Sequence, residues 1–479
     1  MSDPNTQGIL ATPKGAPTRI VSLDQFRGYT VLGMFLVNYL GSFAACPKIL
    51  LHTHDYISYA DTIMPHFLFA VGFSFRLTFG RRAQKEGLAA ANWHMIRRML
   101  GLVLVSIVIY HSGPPAETWA KLTEKGVGGI LPNLLKREWF QTLMHIAVTS
   151  LWILPVIRST AGVRIGWMVF SAALHIWLSY WFNFEWSNGS GPFEGTGNGI
   201  DGGPLGFLTW TTPAILGTLA CDAVAGAEGR PNLWKMVGWS IVIMAFGWLI
   251  SCGTRIYDVP ESVVEAQIQE SIEVKKRENE EQKDIPEKDR KYSKRPELQK
   301  IADNPVIPSK EELQAHMEKE DLSQWLAEPP FVPPPHSWDP PKLKEGETPG
   351  RGGFMGWLLD PNYRPENNAH MYRKWNYWMM SQRGGTLAYL VFSGGFSLFV
   401  YVLFYVVCDI WGWSLGVFRS FGVNALAAYI LHAMVGGAIK PFVTKDAPGW
   451  YVTASVILFF LINWIIIRHL EKQKLFLKL

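Results

Sequence analysis

Ten long apolar runs constrain this chain more than any other feature. They lie near 29–46, 61–80, 95–110, 140–157, 165–182, 207–225, 233–252, 386–411, 417–439 and 450–467. Each approaches the roughly 20 residues a helix needs to cross a hydrocarbon core of about 30 Å. Inside such a core every backbone N–H and C=O must be satisfied within the segment, so the expected fold is all-α: a polytopic transmembrane helical bundle of about ten spans. With 48% apolar residues, 21 Trp and only 18% charged residues, a soluble chain is excluded. The net charge of +5 comes largely from Lys and Arg flanking the runs. That is an orientation signal and not a nucleic-acid footprint, so no nucleic-acid partner is expected. Cys46, Cys221, Cys252 and Cys408 are scattered, without a CxxC pair or a His at ligand spacing; they read as packing residues and no metal is expected.

Lys and Arg set the topology. Arg76, Arg81, Arg82, Lys85, Arg97 and Arg98 crowd the connection between the second and third runs, which is therefore expected in the cytoplasm. Alternation puts Arg158, Arg164, Arg230, Lys235, Arg419 and the terminal Arg468, Lys472, Lys474 and Lys478 on the same side, with both termini cytoplasmic. The expected organisation is a polar tail at 1–18 with no signal-peptide pattern, spans one to seven within 19–253, an extracytoplasmic insertion at 254–383, and spans eight to ten with a cytoplasmic tail at 384–479. The insertion joins a Glu/Lys-rich stretch at 273–283 to a proline-rich one at 328–342. Neither holds enough apolar residues for its own core, which favours a solvated segment over a partner-binding domain.

Ionisable groups inside spans are costly and mark candidate sites. On the outer side the topology collects Asn38, His52, His54, Asp55, Asp61, His66, His111, Gln141 and His145, including five of the twelve histidines. Asp61 and Pro65, and likewise Gln141 and His145, are four residues apart and share a helical face. The outer ends of the first four spans are thus expected to wall one polar cavity. Taken singly, each residue has a plainer explanation as a helix cap, a hydrated anchor or an interhelical hydrogen bond. The inner ends hold Ser22, Asp24, Arg27, Asp222, Asp409, Arg419, Asn424 and His432. Asp24 and Arg27, three residues apart, are as well explained by pairing with each other as by phosphate binding, and Arg419 by anchoring.

The run 19–28 (RIVSLDQFRG), then Val37-Asn38-Tyr39, His52, Ala60-Asp61 and 65–72 (PHFLFAVG) resembles the transmembrane acyltransferases related to heparan-alpha-glucosaminide N-acetyltransferase. Leu205-Gly206, 216–218 (LGT), 421–424 (FGVN) and Ala428-Tyr429 extend the likeness over most of the membrane portion, but not the insertion. The resemblance implies a bacterial-type member in the cytoplasmic (inner) membrane. It also implies transfer of an acetyl or other acyl group from cytosolic acyl-CoA, as co-substrate, to an amine or hydroxyl of an envelope or extracellular glycan or amino sugar. By that resemblance the active-site His falls on His52 and its supporting Asn on Asn38; residue chemistry adds Asp61 as a carboxylate that can hold the imidazole tautomer. From the topology His54, His66, Gln141 and His145 are expected in the cavity wall, and from residue chemistry Asp24, Arg27, Arg419 and Asn424 at the inner ends are expected to meet the nucleotide. The sequence departs from the family pattern in three places: His52 and Asp61 are nine residues apart where ten is usual, His54 replaces a usual Trp, and Gln141-Thr142 replaces a usual Gln-Arg. His54 therefore stays open as the alternative imidazole.

Residue chemistry agrees in form. Acyl transfer needs a group that takes a proton near neutral pH, for which His is suited, and a donor for the developing oxyanion, for which Asn is suited. The competing expectation is a secondary transporter or permease for a small solute, although paired Gly- or Pro-broken helices in two halves are not evident. The oligomeric state stays open, with a homo-oligomer compatible with the sequence.

Overall fold

The computed structural model describes residues 20–52, 57–110, 118–121, 123–124, 140–179, 201–226, 230–251, 280–281, 283 and 380–477. The tail at 1–18, His54, Asp55, His111 and nearly all of the insertion lie outside the described residues. Of the expected insertion's end, Met380, Ser381 and Gln382 are buried within the bundle.

Among the described residues all regular structure is helical. The main helices are α1 (Val21–Leu40), α2 (Tyr59–Glu86), α3 (Leu88–Ile109), α4 (Thr142–Ile153), α5 (Ala161–Leu178) and α6 (Phe207–Ala225). They continue with α7 (Leu233–Ser251), α8 (Leu387–Tyr405), α9 (Gly416–Val423), α10 (Ala425–Ile439) and α11 (Gly449–Lys472). Every apolar run lies on a helix, but among the described residues eight segments, against ten expected, are long and apolar enough to cross a membrane: α2, α3, α5, α7, α11, and α6, α8 and α10 with their adjoining turns. Two runs fall short for visible reasons. Asp24, Gln25, Arg27 and Asn38 dilute α1, and α4 tightens into a 3-10 turn at Leu154–Val156, where Pro155 cannot donate to a helix. The ninth run is broken at Asn424, whose backbone leaves helical geometry (φ −113°, ψ 38°) and separates α9 from α10.

Burial sorts the helices into two layers. In the apolar windows of α2 and α6, 72% of residues are buried, against 17–28% in α3, α5, α7 and α11. The outer layer turns Leu104, Val108, Val169, Phe246, Leu249, Ile457 and Ile465 outward. A soluble chain would bury such faces; an apolar solvent explains them. Within the inner layer α2 and α6 touch backbone to backbone: a Cβ on Gly72 would lie 1.9 Å from the Ala214 carbonyl oxygen, and one on Gly217 2.0 Å from that of Phe69. Small residues at facing positions permit this approach, which substitutes for the missing hydrophobic drive between helices in lipid.

Candidate functional site

The site begins with the first turn of α2. Ser58 and Asp61 form a capping box: the Ser58 N–H and Oγ–H donate to Asp61 Oδ2 at 3.0 and 2.9 Å, and the Asp61 N–H donates to Ser58 Oγ at 3.4 Å. The other carboxylate oxygen, Oδ1, meets His52 Nδ1 at 2.7 Å. Pro65 has no N–H, so the carbonyl of Asp61, four residues earlier, lacks its helical donor; the hydroxyl of Tyr389 on α8 donates to it instead, at 2.6 Å. Cap, proline and tyrosine together fix Asp61 at side chain and backbone.

The environments of the pair are unequal. Asp61's side chain is 1% exposed and that of His52 45%. An acceptor-only carboxylate holds the proton on Nδ1, which makes Nε2 the basic nitrogen of the imidazole. The pair therefore consists of a buried anchor and an accessible base.

His52 lines a cavity of about 190 Å³ together with Asn38, Gln141, Asp201, Gln382, Tyr429 and His432. Met34, Ile63, Met64 and Phe67 give it an apolar side. It is smaller than the roughly 300–1,000 Å³ usual for drug-sized ligands, so it suits the reacting ends of small groups and not a whole nucleotide. On its far wall the Nδ1–H of His432 donates to the Tyr429 carbonyl, which makes Nε2 the acceptor for Asn38 Nδ2–H at 3.4 Å. The Phe35 ring stacks on the same imidazole at 5.2 Å. Lys440 donates to the Asn38 carbonyl at 3.2 Å and to Ser42 Oγ at 2.7 Å, tying the end of α10 to the end of α1.

Of the residues expected in this cavity from sequence, the structure brings Asn38, His52 and Gln141 to the wall, with Asp61 behind His52. His66 and His145 are corrections. His66 is fully buried below the cavity, its Nδ1 2.7 Å from Ser397 Oγ and its ring against Phe26, Tyr29 and Phe396. His145 is 2% exposed and faces Gly206 and Trp210. The shared face expected for Gln141 and His145 is not used: the His145 N–H donates to the Gln141 carbonyl at 3.1 Å, but the extended-backbone cap Gln141 turns its side chain to the cavity while His145 packs toward Gly206 and Trp210. His432, expected at the inner end, belongs to the cavity; Asp201 and Gln382 join it from loops.

At the opposite end of the bundle, several expected ligand residues have structural partners. Arg419 pairs with Glu471 at 3.1 Å. Asn424 accepts from the Leu477 N–H at 3.3 Å and donates to the Leu475 carbonyl at 3.0 Å, clamping the tail after α11. Asp409 receives the first N–H groups of α1, from Val21 at 3.3 Å and Ser22 at 3.1 Å, satisfying donors that a helix start leaves open. Arg27 and Asp24 are half-buried neighbours in mutual attraction, and the Arg98 charge is felt by that of Arg27. Arg76 and Arg164, expected in connections on the cytoplasmic side, are buried around one carboxylate. Arg76 Nε donates to Asp222 Oδ1 at 2.8 Å; Arg164 donates to Asp222 Oδ2 and, at 2.6 Å, to Thr218 Oγ1.

No protein-family model matches the chain, and no curated protein matches it. Among the described residues no group of three or more His, Cys, Asp and Glu is placed to hold a metal ion.

Proposed function

We propose that the chain is a membrane-bound acyltransferase that moves an acetyl or other acyl group from acyl-CoA to an amine or hydroxyl of a glycan on the far side of the membrane. The observation that carries this reading is the 2.7 Å contact between His52 and the fully buried Asp61, at a small polar cavity that also contains Asn38. Nε2 of His52 takes the proton of the acceptor amine or hydroxyl as that group attacks the thioester carbonyl carbon. Asn38 donates to the oxyanion; the C–S bond then breaks, and the CoA thiolate leaves with the proton carried by the imidazole. Asp61 holds the tautomer and stabilises the imidazolium.

The opposite end supplies the nucleotide contact in this reading. Arg27 lies eleven residues before Asn38 in α1, about 16 Å along the axis, a distance that an extended pantetheine arm covers. Arg27 and Arg98 are the cations kept for the CoA phosphates; Arg419 and Asn424, engaged by Glu471 and the tail, are given up as contacts. The topology fits ten crossings, in which α1, α4 and the α9–α10 pair count as spans beside the longer helices, with both termini in the cytoplasm and 254–379 outside. A bacterial cytoplasmic membrane is the proposed location.

Purified protein in detergent is expected to release free CoA slowly from acetyl-CoA, and faster when glucosamine is added, as read by thiol titration. Accumulation of sugar in proteoliposomes without any CoA release would favour the permease reading.

A further inference from the structure

We infer that the acyl group carried to this site is a medium or long hydrocarbon chain whose tail leaves the cavity sideways, between α3 and α10, into the bilayer, acetyl being the short limit of the series. This rests on the acyltransferase reading and adds to it the chain class of the donor. The apolar side of the cavity is made by Met34 on α1, Ile63, Met64 and Phe67 on α2, Ile109 at the end of α3 and Ala433 on α10. Asn38, His52, Gln141 and His432 line the same space with polar groups. A substrate with a reactive carbonyl at one end and hydrocarbon at the other matches that division.

The apolar side is also where the cavity meets the lipid-facing surface. Tyr429, His432 and Ala433 share one face of α10, and Ala433, at its edge, is exposed. Met434, the next residue, is 68% exposed. Gly437, one turn on, is exposed too, and a Cβ built on it would meet none of the described residues within 4 Å. The same happens on α3, where Ile109 lines the cavity while Leu104 and Val108 are 64% and 74% exposed. On both helices the cavity wall therefore runs on into faces that only an apolar solvent explains. Across the opening the hydroxyls of Tyr110 and Tyr429 hydrogen-bond to each other. Two phenols meeting end to end hold the helices apart, in contrast to the backbone contact of α2 with α6. Ala433 lies seven residues before Lys440, about 10 Å along the axis, and the Lys440 ammonium is bonded at the end of α1. The opening thus stands at the depth of lipid chains and not of headgroups.

Chemistry then names the occupant. A cavity of about 190 Å³ takes the thioester and the first carbons of the chain, so a longer chain has to leave it. Hydrocarbon passing between α3 and α10 into lipid loses nothing, whereas a hydrophilic acceptor on that route would strip its polar groups of partners. The acceptor accordingly uses the His52 side and the chain the α3–α10 side. The bonds are those of the transfer already described for every chain length: the new acyl–N or acyl–O bond forms and the C–S bond breaks, with the carbonyl held at His52 and Asn38.

The test compares dodecanoyl-CoA with acetyl-CoA in the full-length protein, with glucosamine as acceptor. Wild type is expected to prefer dodecanoyl-CoA by at least about 10-fold in kcat/KM, because methylenes placed in an apolar site add to transition-state binding. Ala433→Trp fills the opening and is expected to cut that preference by about 10-fold or more. Val169→Trp, the same kind of change on the lipid-facing side of α5, should leave it as it is and so controls for partition of the donor into detergent. Thermal unfolding checks that both variants fold. No preference in wild type, or the same preference in Ala433→Trp as in Val169→Trp, would overturn the inference while leaving acyl transfer intact. Equal loss with both donors in Ala433→Trp would overturn it too, and would make the opening the acceptor's entrance. Should neither donor release CoA in wild type, the acyltransferase reading fails separately, and labelling decides: an Ala433→Cys variant protected from an apolar maleimide by dodecanoyl-CoA but not by acetyl-CoA sustains the chain slot, and equal labelling overturns it.

Discussion

A His52→Ala variant is expected to lose at least about 100-fold of acetyl transfer while its thermal unfolding in detergent stays close to wild type. The asymmetry follows from the geometry. The His52 side chain is 45% exposed and contributes little packing, whereas its Nε2 is the base of the proposed reaction. Asp61→Asn should reproduce much of the loss, because an amide keeps only one of the two acceptor oxygens: with the oxygen held by the Ser58 donors, its N–H group faces His52 Nδ1 and selects the wrong tautomer. It should also weaken the start of α2, since the same side chain closes the capping box. His54→Ala should be milder. Acetyl-CoA turnover in washed membranes measures all three; full activity in His52→Ala with loss in His54→Ala would move the base to the other imidazole.

The largest structural effect is expected from Asp222→Ala. Two guanidiniums, Arg76 and Arg164, share this one carboxylate, and Arg164 is fully buried with its Nε unsatisfied. Removing the acid leaves two cations in a low-dielectric bundle. Breaking a buried pair costs about 3–5 kcal/mol, and Asp222's partial exposure (32%) places this case at the lower end, about 3 kcal/mol. A lowered unfolding midpoint would show it. Adding Arg164→Met should restore part of the loss, because the fully buried charge goes with its partner. An unchanged midpoint in the single variant would mean the network contributes nothing to folding.

Most of the architecture was legible because lipid-spanning helices announce themselves by length. All ten apolar runs lie on helices, and the pairing of His52 with Asp61 follows from a loop that returns to a capped helix start. The site's depth was harder to read. Asp61 and His66 both fall in the outer half of the second run, but five residues carry His66 about 7.5 Å deeper and roughly 140° around the axis, into the core beside Ser397. Grouping the ninth run's polar residues by their nearest basic flank, Arg419, places His432 at the inner end. Position 432 lies past the middle of that run, and α10 brings it level with Asn38. Asp201 and Gln382 carry no periodic signal at all. Their pairing depends on two glycine-rich loops touching across 181 positions, a non-local contact that no local pattern encodes. Arg76 and Arg164 count as parts of cytoplasmic connections because charge counting cannot see that Asp222 waits on a third helix.

The most direct measurement of the central claim encloses glucosamine in proteoliposomes, supplies acetyl-labelled acetyl-CoA only outside, and follows the label. Labelled N-acetylated sugar is expected inside the vesicles with an equivalent of free CoA outside, both absent with His52→Ala. Label confined to the outer medium while the trapped sugar stays unmodified in wild type would contradict it.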